Sequence, residues 1–116
     1  MFSLHQACVP ALDFEATVDF YRLILKLDGA RVSAREHLFE SGGARLSCVR
    51  MGGHECAHQP TALVLGADRL PTAKEIQAAG GRTDARRPLF ELPEGAGAAL
   101  ATDPSGNTIC FVLQKP

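Results

Sequence analysis

The fold of this chain is decided by a stretch near its C-terminus, Asp103-Pro104-Ser105-Gly106-Asn107-Thr108-Ile109-Cys110-Phe111-Val112-Leu113-Gln114. Its first residues favour a tight turn, because an aspartate side chain bonds to nearby backbone, proline presets φ and glycine tolerates a positive φ. The residues after the turn alternate as a strand, with Ile109, Phe111 and Leu113 on an ordinary core face. The other face is small and mildly polar, which suits either a cavity lining or an edge strand that faces water: Thr108, Cys110, Val112 and Gln114.

Length and charge set the broad class of the protein. A chain of 116 residues is long enough for one domain, 1–116, with its own core. The formal net charge of −1 gives no reason to expect nucleic acid or an anionic membrane as a partner. No apolar run approaches the ~18 residues of a membrane span, and residues 1–5 lack the basic region and apolar segment of a signal peptide. We therefore expect a cytoplasmic protein.

The four cysteines, Cys8, Cys48, Cys56 and Cys110, show no CxxC spacing. Three of the four lie inside apolar runs that read as strands. In a protein with no export signal, this pattern indicates reduced and mostly buried thiols rather than a disulfide framework or a zinc site.

The apolar pattern of the first half predicts a strand, a helix and three further strands. The first strand covers 5–12, and Pro10 within it indicates an edge strand. Asp13 is placed to cap a helix over 15–25, where apolar residues recur at helical spacing. Turn residues at Asp28-Gly29 and Ser41-Gly42-Gly43 then separate strands near 31–34, 37–40 and 44–51.

The same order of elements begins again after a loop at 52–60. A strand at 61–65 is followed by a helix that Pro71 and Thr72 open and that runs to Ala79, and then by strands near 83–87, 96–102 and 107–114. A shift of 55 residues superposes four identical pairs: Ala7 on Ala62, Val9 on Val64, Asp13 on Asp68 and Thr17 on Thr72. The chain is therefore predicted to contain two βαβββ modules, 4–51 and 61–114.

The doubled module, the Asp13 that precedes Phe20-Tyr21 and the closing DPxGN turn at 103–107 together resemble the vicinal oxygen chelate superfamily. That superfamily holds glyoxalase I, bleomycin-resistance proteins, extradiol dioxygenases, fosfomycin-resistance enzymes and methylmalonyl-CoA epimerase. The resemblance implies an α+β fold in which two βαβββ modules form a curled mixed sheet around a cavity. It also implies a homodimer, since a second subunit often completes the cavity of small members. One such fold hosts several chemistries, so function needs its own argument.

The resemblance also implies where an ion would bind. Metal-dependent members use one side chain from the first and last strand of each module, which in this chain gives Gln6, Thr61, Cys110 and either Ser47 or Cys48. An amide with hydroxyls and thiols is a poor set for magnesium, nickel or iron, so we predict no metal and no cofactor. If Cys48 holds the position, the two thiols would suit zinc or copper.

Other catalytic patterns are weaker. The stretch His54-Glu55-Cys56-Ala57-His58 matches HExxH, but that motif works on a helix, and here glycines and a proline enclose it in the predicted loop. We interpret the match as chance. Candidate general bases near the strands are Glu40, Glu91 and Glu94. Arg50 is interpreted either as a solvated residue or as a rim group for a carboxylate or phosphate.

These observations favour a metal-independent protein that binds and sequesters a small apolar or aromatic molecule, as bleomycin-resistance proteins do. The predicted ligand-binding residues are Gln6, Cys8, His37, Phe39, Ser47, Arg50, Thr61 and Cys110. An alternative is a lyase or isomerase of the glyoxalase or epimerase kind, in which Gln6 and a thiol hold an ion or Glu40 acts as base. A third is a regulatory or subunit protein with a collapsed cavity.

Overall fold

The computed structural model describes residues 6–52, 61–83 and 97–113. Within these ranges the chain forms, in order, β1 (Gln6–Ala11), α1 (Phe14–Leu25), β2 (Ala30–Ser33), β3 (Glu36–Ser41), β4 (Ala44–Arg50), β5 (Ala62–Ala67), α2 (Ala73–Ala78), β6 (Ala98–Thr102) and β7 (Thr108–Leu113). None of the helices in these ranges is long and apolar enough to cross a membrane.

The strands form two mixed sheets. The first has the order β1-β4-β3-β2, with β1 parallel to β4 and the other pairs antiparallel. The second has the order β5-β7-β6, with β5 parallel to β7 and β6 antiparallel to it. This confirms the α+β class, and in the described part of the chain the two sheets do not close into a barrel. Strand β1 lies at the edge of its sheet, where Pro10 costs no ladder bond.

One face of each sheet packs on the helices, and the two buried faces share one apolar core. Strands β1, β3 and β4 contribute Val9, Phe39, Leu46 and Cys48, and the second sheet contributes Leu63, Ala101, Ile109 and Phe111. Helix α1 adds Phe14, Val18, Phe20 and Tyr21, while α2 adds Ile76. Because both sheets bury apolar surface in the same cluster, the described parts of the two halves stabilise each other.

The opposite face of each sheet is named here its open face. Strand register assigns to the first open face Gln6, Cys8, Pro10, Glu36, Leu38, Glu40, Arg45, Ser47 and Val49. The second open face comprises Ala62, Val64, Gly66, Ala98, Leu100, Thr102, Thr108, Cys110 and Val112. These sets follow from the period of two in strands and from the rule that paired residues share a face.

The repeat has a different register from the one expected. The 55-residue shift pairs Val9 with Val64, yet Val9 is fully buried in the core and Val64 is 53% exposed on the open face. An odd error in register moves a side chain to the other face of its strand. In the described residues each half begins with a strand and a helix, and its first strand pairs in parallel with its last, but the residue-by-residue equivalence is wrong for these strands.

Several predicted features lie outside the described residues. They are the HExxH match at 54–58 with Cys56, the bases Glu91 and Glu94, and all of the strand predicted near 83–87 except Thr83. Just before that strand, Arg82 forms a bridge with Thr102.

Candidate functional site

The DPSGN turn that opens β7 is buried and joins the two halves of the chain. The Asp103 side chain accepts hydrogen bonds from the backbone N–H groups of Ser105 and Asn107 at 2.9 and 3.0 Å, as expected of an Asx turn. Its other oxygen accepts from the Tyr21 hydroxyl at 2.7 Å and from the Asn107 amide at 2.9 Å. The Ser105 hydroxyl lies 2.6 Å from that of Thr17 in α1. We name these five side chains the buried polar cluster.

Asn107 of this cluster also links the edge strands of the two sheets. Its amide nitrogen donates to the carbonyl of Pro10 in β1 at 2.9 Å, and its amide oxygen accepts from the N–H of Thr61, just before β5, at 2.8 Å. The C-terminal end of β1 and the N-terminal end of β5 are therefore held together. The chain positions the two strands so that their other ends border the same groove.

This groove has a volume of about 950 Å³ and is lined by residues from both halves. We name it the β1–β5 groove. Gln6 and Ala7 line it from β1, and residues 64–67 line it from β5. Its apolar wall comprises Ile24, Leu25, Leu27, Phe39, Leu46, Leu65 and Phe111. Concave, largely apolar spaces of this size are where proteins bind small molecules.

Charged side chains surround the apolar wall of the groove. They are Lys26, Glu40, Arg45, Asp68, Arg69 and Glu75. Arg69 and Glu75 form a bidentate pair with distances of 2.8 and 2.9 Å, and Arg45 lies 3.7 Å from Glu40. The Arg69 hydrogen bond is the main cause that lowers the pKa of Glu75 to about 2. Glu40 thus has Arg45 as its neighbour at the groove rim.

The first open face carries a second polar group. Cys8 and Ser47 are register partners on β1 and β4, so their side chains lie side by side. The Ser47 hydroxyl, which is fully buried, donates to the Glu36 carboxylate at 2.5 Å. Gln6 precedes Cys8 on the same face and lies 3.9 Å from its sulfur. The structure thus brings together three of the predicted residues, Gln6, Cys8 and Ser47.

His37, Phe39 and Arg50 are not brought together with that group, because strand register places them on the helix side of the first sheet. Phe39 packs in the core, where its ring centroid lies 6.5 Å from that of Tyr21, and it also lines the β1–β5 groove. His37 is 4% exposed, and its Nε2 lies 2.9 Å from the carbonyl of Asp28. All three lie on the helix side of the first sheet, and of the three Phe39 lines the β1–β5 groove.

The positions expected to bind an ion do not form a suitable set. Thr61 precedes β5, and its backbone N–H donates to the Asn107 amide oxygen. Cys110 belongs to the second open face by register but is itself fully buried. Burial raises the pKa of the Cys110 thiol, and the Ser47 hydroxyl already donates to a carboxylate. Within 6–52, 61–83 and 97–113, no three His, Cys, Asp or Glu side chains come together as a metal-binding group.

Cys48 does not provide the alternative two-thiol site. It lies on the core face, opposite to its neighbour Ser47, and is fully buried. Burial, with the nearby Asp103 charge as a smaller cause, raises the pKa of the Cys48 thiol to about 12. A thiol that stays protonated is a weak ligand and nucleophile. The donor set therefore fits neither a hard ion nor zinc.

Glu36 is the main site residue that sequence reasoning missed. The strand predicted near 37–40 begins at His37 and therefore excludes Glu36. The alternation itself held the signal, because Glu36 has the same parity as Leu38 and Glu40. Starting the strand one residue earlier would have placed its carboxylate on the open face.

Comparison with known proteins places this geometry in context. No protein-family model and no curated protein matches the chain. Among solved structures, a glyoxalase/bleomycin resistance protein from Albidiferax ferrireducens T118 has a TM-score of 0.72 and 19% identity, covering 97% of this chain and 98% of that one. A lactoylglutathione lyase from Agrobacterium tumefaciens has a TM-score of 0.70 and 16% identity, covering 97% and 94%. A glyoxalase-related enzyme from Fulvimarina pelagi has a TM-score of 0.70 and 17% identity, covering 98% and 89%.

These similarities extend over almost the whole chain, at 16–19% sequence identity. At such identities they establish architecture and leave the chemistry of the site to be argued from its residues. The resemblance inferred from the doubled module and the DPxGN turn is confirmed at the level of fold. This chain has the fold of the glyoxalase and bleomycin-resistance proteins, the vicinal oxygen chelate fold.

Proposed function

We propose that this protein binds a small apolar or aromatic molecule in the β1–β5 groove and sequesters it without a metal ion and without breaking a bond. The observation that carries the proposal is the groove itself, a space of about 950 Å³ with an apolar wall and a charged rim. Similar architecture in a glyoxalase/bleomycin resistance protein is compatible with a binding role.

The walls of the groove favour an amphipathic ligand. Leucine, isoleucine and phenylalanine side chains remove the apolar body of a ligand from water, at about 25 cal/mol per Å² of apolar surface. Lys26 and Asp68 lie at the rim, and no described residue forms an ion pair with either of them. They supply one charge of each sign for a polar end of the ligand.

Metal independence is supported by the donor chemistry of the positions at which the resemblance places an ion. Gln6 offers a neutral amide, Ser47 donates to Glu36, and Cys110 is a buried thiol with a raised pKa. Each is a poor ligand for the ions that prefer carboxylate, imidazole or thiolate. The ligand is therefore held by apolar contact and hydrogen bonds.

The test fills the groove by substitution. Ala7 is exposed and lines the groove, so Ala7→Phe adds a ring there without overpacking the core. We use the apolar aromatic probe 8-anilinonaphthalene-1-sulfonate and measure its Kd by fluorescence. Wild type should bind it saturably, and A7F should weaken binding about tenfold or more, which corresponds to about 1.4 kcal/mol.

Ala30→Phe is the matched control, since Ala30 is also an exposed alanine at the start of an edge strand but lies away from the groove. Its Kd should stay within about twofold of wild type, the size of effect expected for a surface change. Equal weakening by both substitutions, or no saturable binding by wild type, would refute the proposal. Elemental mass spectrometry tests the metal: one ion held per chain would contradict metal independence.

A second function is favoured by the Glu36–Ser47 hydrogen bond. A carboxylate fixed on an open face by a buried hydroxyl is positioned to remove a proton from a carbon next to a carbonyl, as a metal-free isomerase would require. We would assay conversion of the methylglyoxal–glutathione hemithioacetal to lactoylglutathione. Glu36→Gln should lower the rate about 100-fold or more, and Glu40→Gln, at the groove rim, should not. Absence of turnover in wild type would rule this alternative out.

We also propose that the protein is a homodimer. Val64 is 53% exposed on the second open face, and Gln6 and Cys8 are exposed on the first. A second copy that covers these faces would bury apolar surface that otherwise contacts water. Sedimentation equilibrium should give twice the chain mass for wild type and a weakened dimer for Val64→Asp. A monomer in wild type would refute this part of the proposal.

A further inference from the structure

The described charged side chains that line the β1–β5 groove are divided unequally between the two halves of the chain. The first half contributes two cations and one anion, which are Lys26, Arg45 and Glu40. The second half contributes one cation and two anions, which are Arg69, Asp68 and Glu75. The lining therefore has one positive charge in excess from the first half and one negative charge in excess from the second.

The paired charges of this lining are paired within their own half. Arg45 lies 3.7 Å from Glu40, and Arg69 binds Glu75 at 2.8 and 2.9 Å. Within 6–52, 61–83 and 97–113, no ion pair joins Lys26 or Asp68 to another residue. The excess charge of each half therefore lies on one exposed side chain, a lysine in the first half and an aspartate in the second.

The backbone at Lys26 is unusual for a lysine. This residue follows the last residue of α1 with φ of 57° and ψ of 40°, and among the described non-glycine residues only Lys26 has a positive φ. Glycine is the usual residue in this conformation at a helix end, because a Cβ atom makes the conformation less favourable. A lysine near a helix C-terminus also interacts favourably with the helix dipole. The experiment therefore has to separate the charge of Lys26 from its effect on stability.

We propose that the ligand of the β1–β5 groove is a zwitterion with an apolar or aromatic body, whose anionic group binds Lys26 and whose cationic group binds Asp68. The inference rests on the proposed function, because it takes this groove as the binding site. The two opposite charges line one groove without pairing, and a ligand that carries both complementary charges pairs with each of them. A ligand with a single charge pairs with one and leaves the other without a partner.

The expected gain from each pair is modest. Lys26 and Asp68 are both exposed, and an ion pair between exposed groups changes an affinity by at most about fivefold. The effect is largest at low ionic strength, where screening is weak. Specificity for a zwitterion is thus expected from the sum of two small contributions.

The test compares small aromatic molecules that differ in charge. Phenylalanine and p-(aminomethyl)phenylacetic acid are zwitterions, with adjacent and separated charges respectively. Phenylpropionic acid provides the anion, phenethylamine the cation and phenylpropanol the neutral molecule. Nuclear magnetic resonance titrations of the full chain at low ionic strength give each Kd. Wild type should bind one of the zwitterions about threefold or more tighter than each of the other three molecules, and the better zwitterion reports the spacing of the charges.

Charge variants assign the two groups. Lys26→Gln should weaken the preferred zwitterion and the anion about threefold, while the cation changes less than twofold. Asp68→Asn should weaken the zwitterion and the cation about threefold, while the anion changes less than twofold. Lys26→Arg keeps the charge and should bind as wild type does.

Lys26→Gly separates charge from stability. Glycine accepts the left-handed conformation, so this variant should have a higher Tm than Lys26→Gln and the same weakened binding. Affinity that follows Tm rather than charge across the Lys26 variants would show a structural role and refute the inference.

Lys74→Gln and Asp28→Asn are the matched controls, since Lys74 and Asp28 are exposed and do not line the groove. Their Kd for the zwitterion should stay within about twofold of wild type, and weakening equal to that of Lys26→Gln or Asp68→Asn would show a diffuse charge effect and refute the site. Equal affinity of wild type for all five molecules, or no binding of either zwitterion, would also refute the inference. The proposed function survives these outcomes if Ala7→Phe still weakens the binding of 8-anilinonaphthalene-1-sulfonate, and it fails with the inference if wild type does not bind that probe saturably.

Discussion

Tyr21 connects the two halves of the chain, because its hydroxyl donates to a buried carboxylate 82 residues away. Asp103 is 2% exposed and accepts four hydrogen bonds, two from backbone N–H groups and two from side chains. All four contacts are donors, which is the arrangement that stabilises an ionised carboxylate away from water. These hydrogen-bond donors take the place of the positively charged partner that a buried carboxylate would otherwise need.

This contact predicts an alkaline titration that reports unfolding. Burial chiefly, and then the Asp103 charge and hydrogen bond, raises the pKa of Tyr21 well above its usual value. A folded-state pKa above the unfolded one stabilises the protein below the unfolded pKa, near 10, and this stability is lost as pH rises further. Tyr21 is the only tyrosine and the chain has no tryptophan, so tyrosinate absorbance monitors this group alone.

We expect the tyrosinate signal of the native protein to appear together with the loss of far-ultraviolet circular dichroism. In guanidinium chloride the same tyrosine should titrate near pH 10. Ionisation near pH 10 with the circular dichroism unchanged would show that the Tyr21 hydroxyl is not buried against Asp103.

The sequence predicted hydrogen bonds between residues that are close in the chain, but not hydrogen bonds between residues that are distant in it. The Asx turn at Asp103 was predicted because its partners lie two and four residues away. Tyr21 lies on the apolar stripe of α1 and packs in the core. Its hydrogen bond was not predicted, because a helical apolar stripe carries no information about which distant polar group meets the hydroxyl. The same reason applies to Glu36 and Ser47, which meet only when β3 and β4 pair.

Two helices of the chain begin in different ways, and this gives a prediction at the scale of elements. In α2 the Thr72 hydroxyl accepts from the N–H of Glu75, whose carboxylate accepts in return from the N–H of Thr72. In α1 the residue at the same position, Asp13, forms no capping bond with its side chain. A capping box satisfies two backbone donors that the helix itself leaves unpaired.

We expect Thr72→Ala to lower the free energy of unfolding by about 1 kcal/mol, and Thr72→Ser to retain most of it. Asp13→Ala should cost less than about 0.5 kcal/mol at high salt, where the interaction with the helix dipole is screened. Urea denaturation in 0.5 M sodium chloride measures all three. A loss from Asp13→Ala equal to that from Thr72→Ala would mean that both aspartate and threonine cap their helices.

Strand faces show how far an element can be predicted from its pattern. The alternation of β7 was predicted correctly, since Ile109 and Phe111 lie in the core. In β3, however, His37 and Phe39 were expected to line a cavity together. Phe39 packs in the core and also lines the β1–β5 groove, whereas His37 is buried on the helix side and does not line that groove. Alternation states which residues share a face, but only packing decides which face is covered. In β3 both faces carry apolar and polar residues, so the pattern left that choice open.

The β1–β5 groove and the hydrogen bonds of Asn107 lie at opposite ends of β1 and β5. The order of elements predicted the α+β class, and the resemblance carried by that order and by the DPxGN turn predicted the fold, which the similar structures confirm. The groove was not predictable in the same way. Its walls come from segments far apart in sequence, and their spacing depends on how the two halves pack.

Asn107 provides the last prediction, since it connects β1, β5 and Asp103 at once. Asn107→Ala leaves the Pro10 carbonyl and the Thr61 N–H without this partner and removes a donor from the Asp103 carboxylate. Each buried polar group that loses its partner costs about 1–3 kcal/mol, so we expect a total loss of roughly 3 kcal/mol or more. Thr17→Val, which removes one hydroxyl pair of the same cluster, should cost only about 1 kcal/mol. Differential scanning calorimetry measures both losses.

The wild type should unfold in one transition because its two sheets share a core. In Asn107→Ala the calorimetric enthalpy should exceed the van't Hoff enthalpy, as the halves begin to unfold separately. A single unbroken transition with a loss no larger than that of Thr17→Val would show that the apolar core alone couples the two halves.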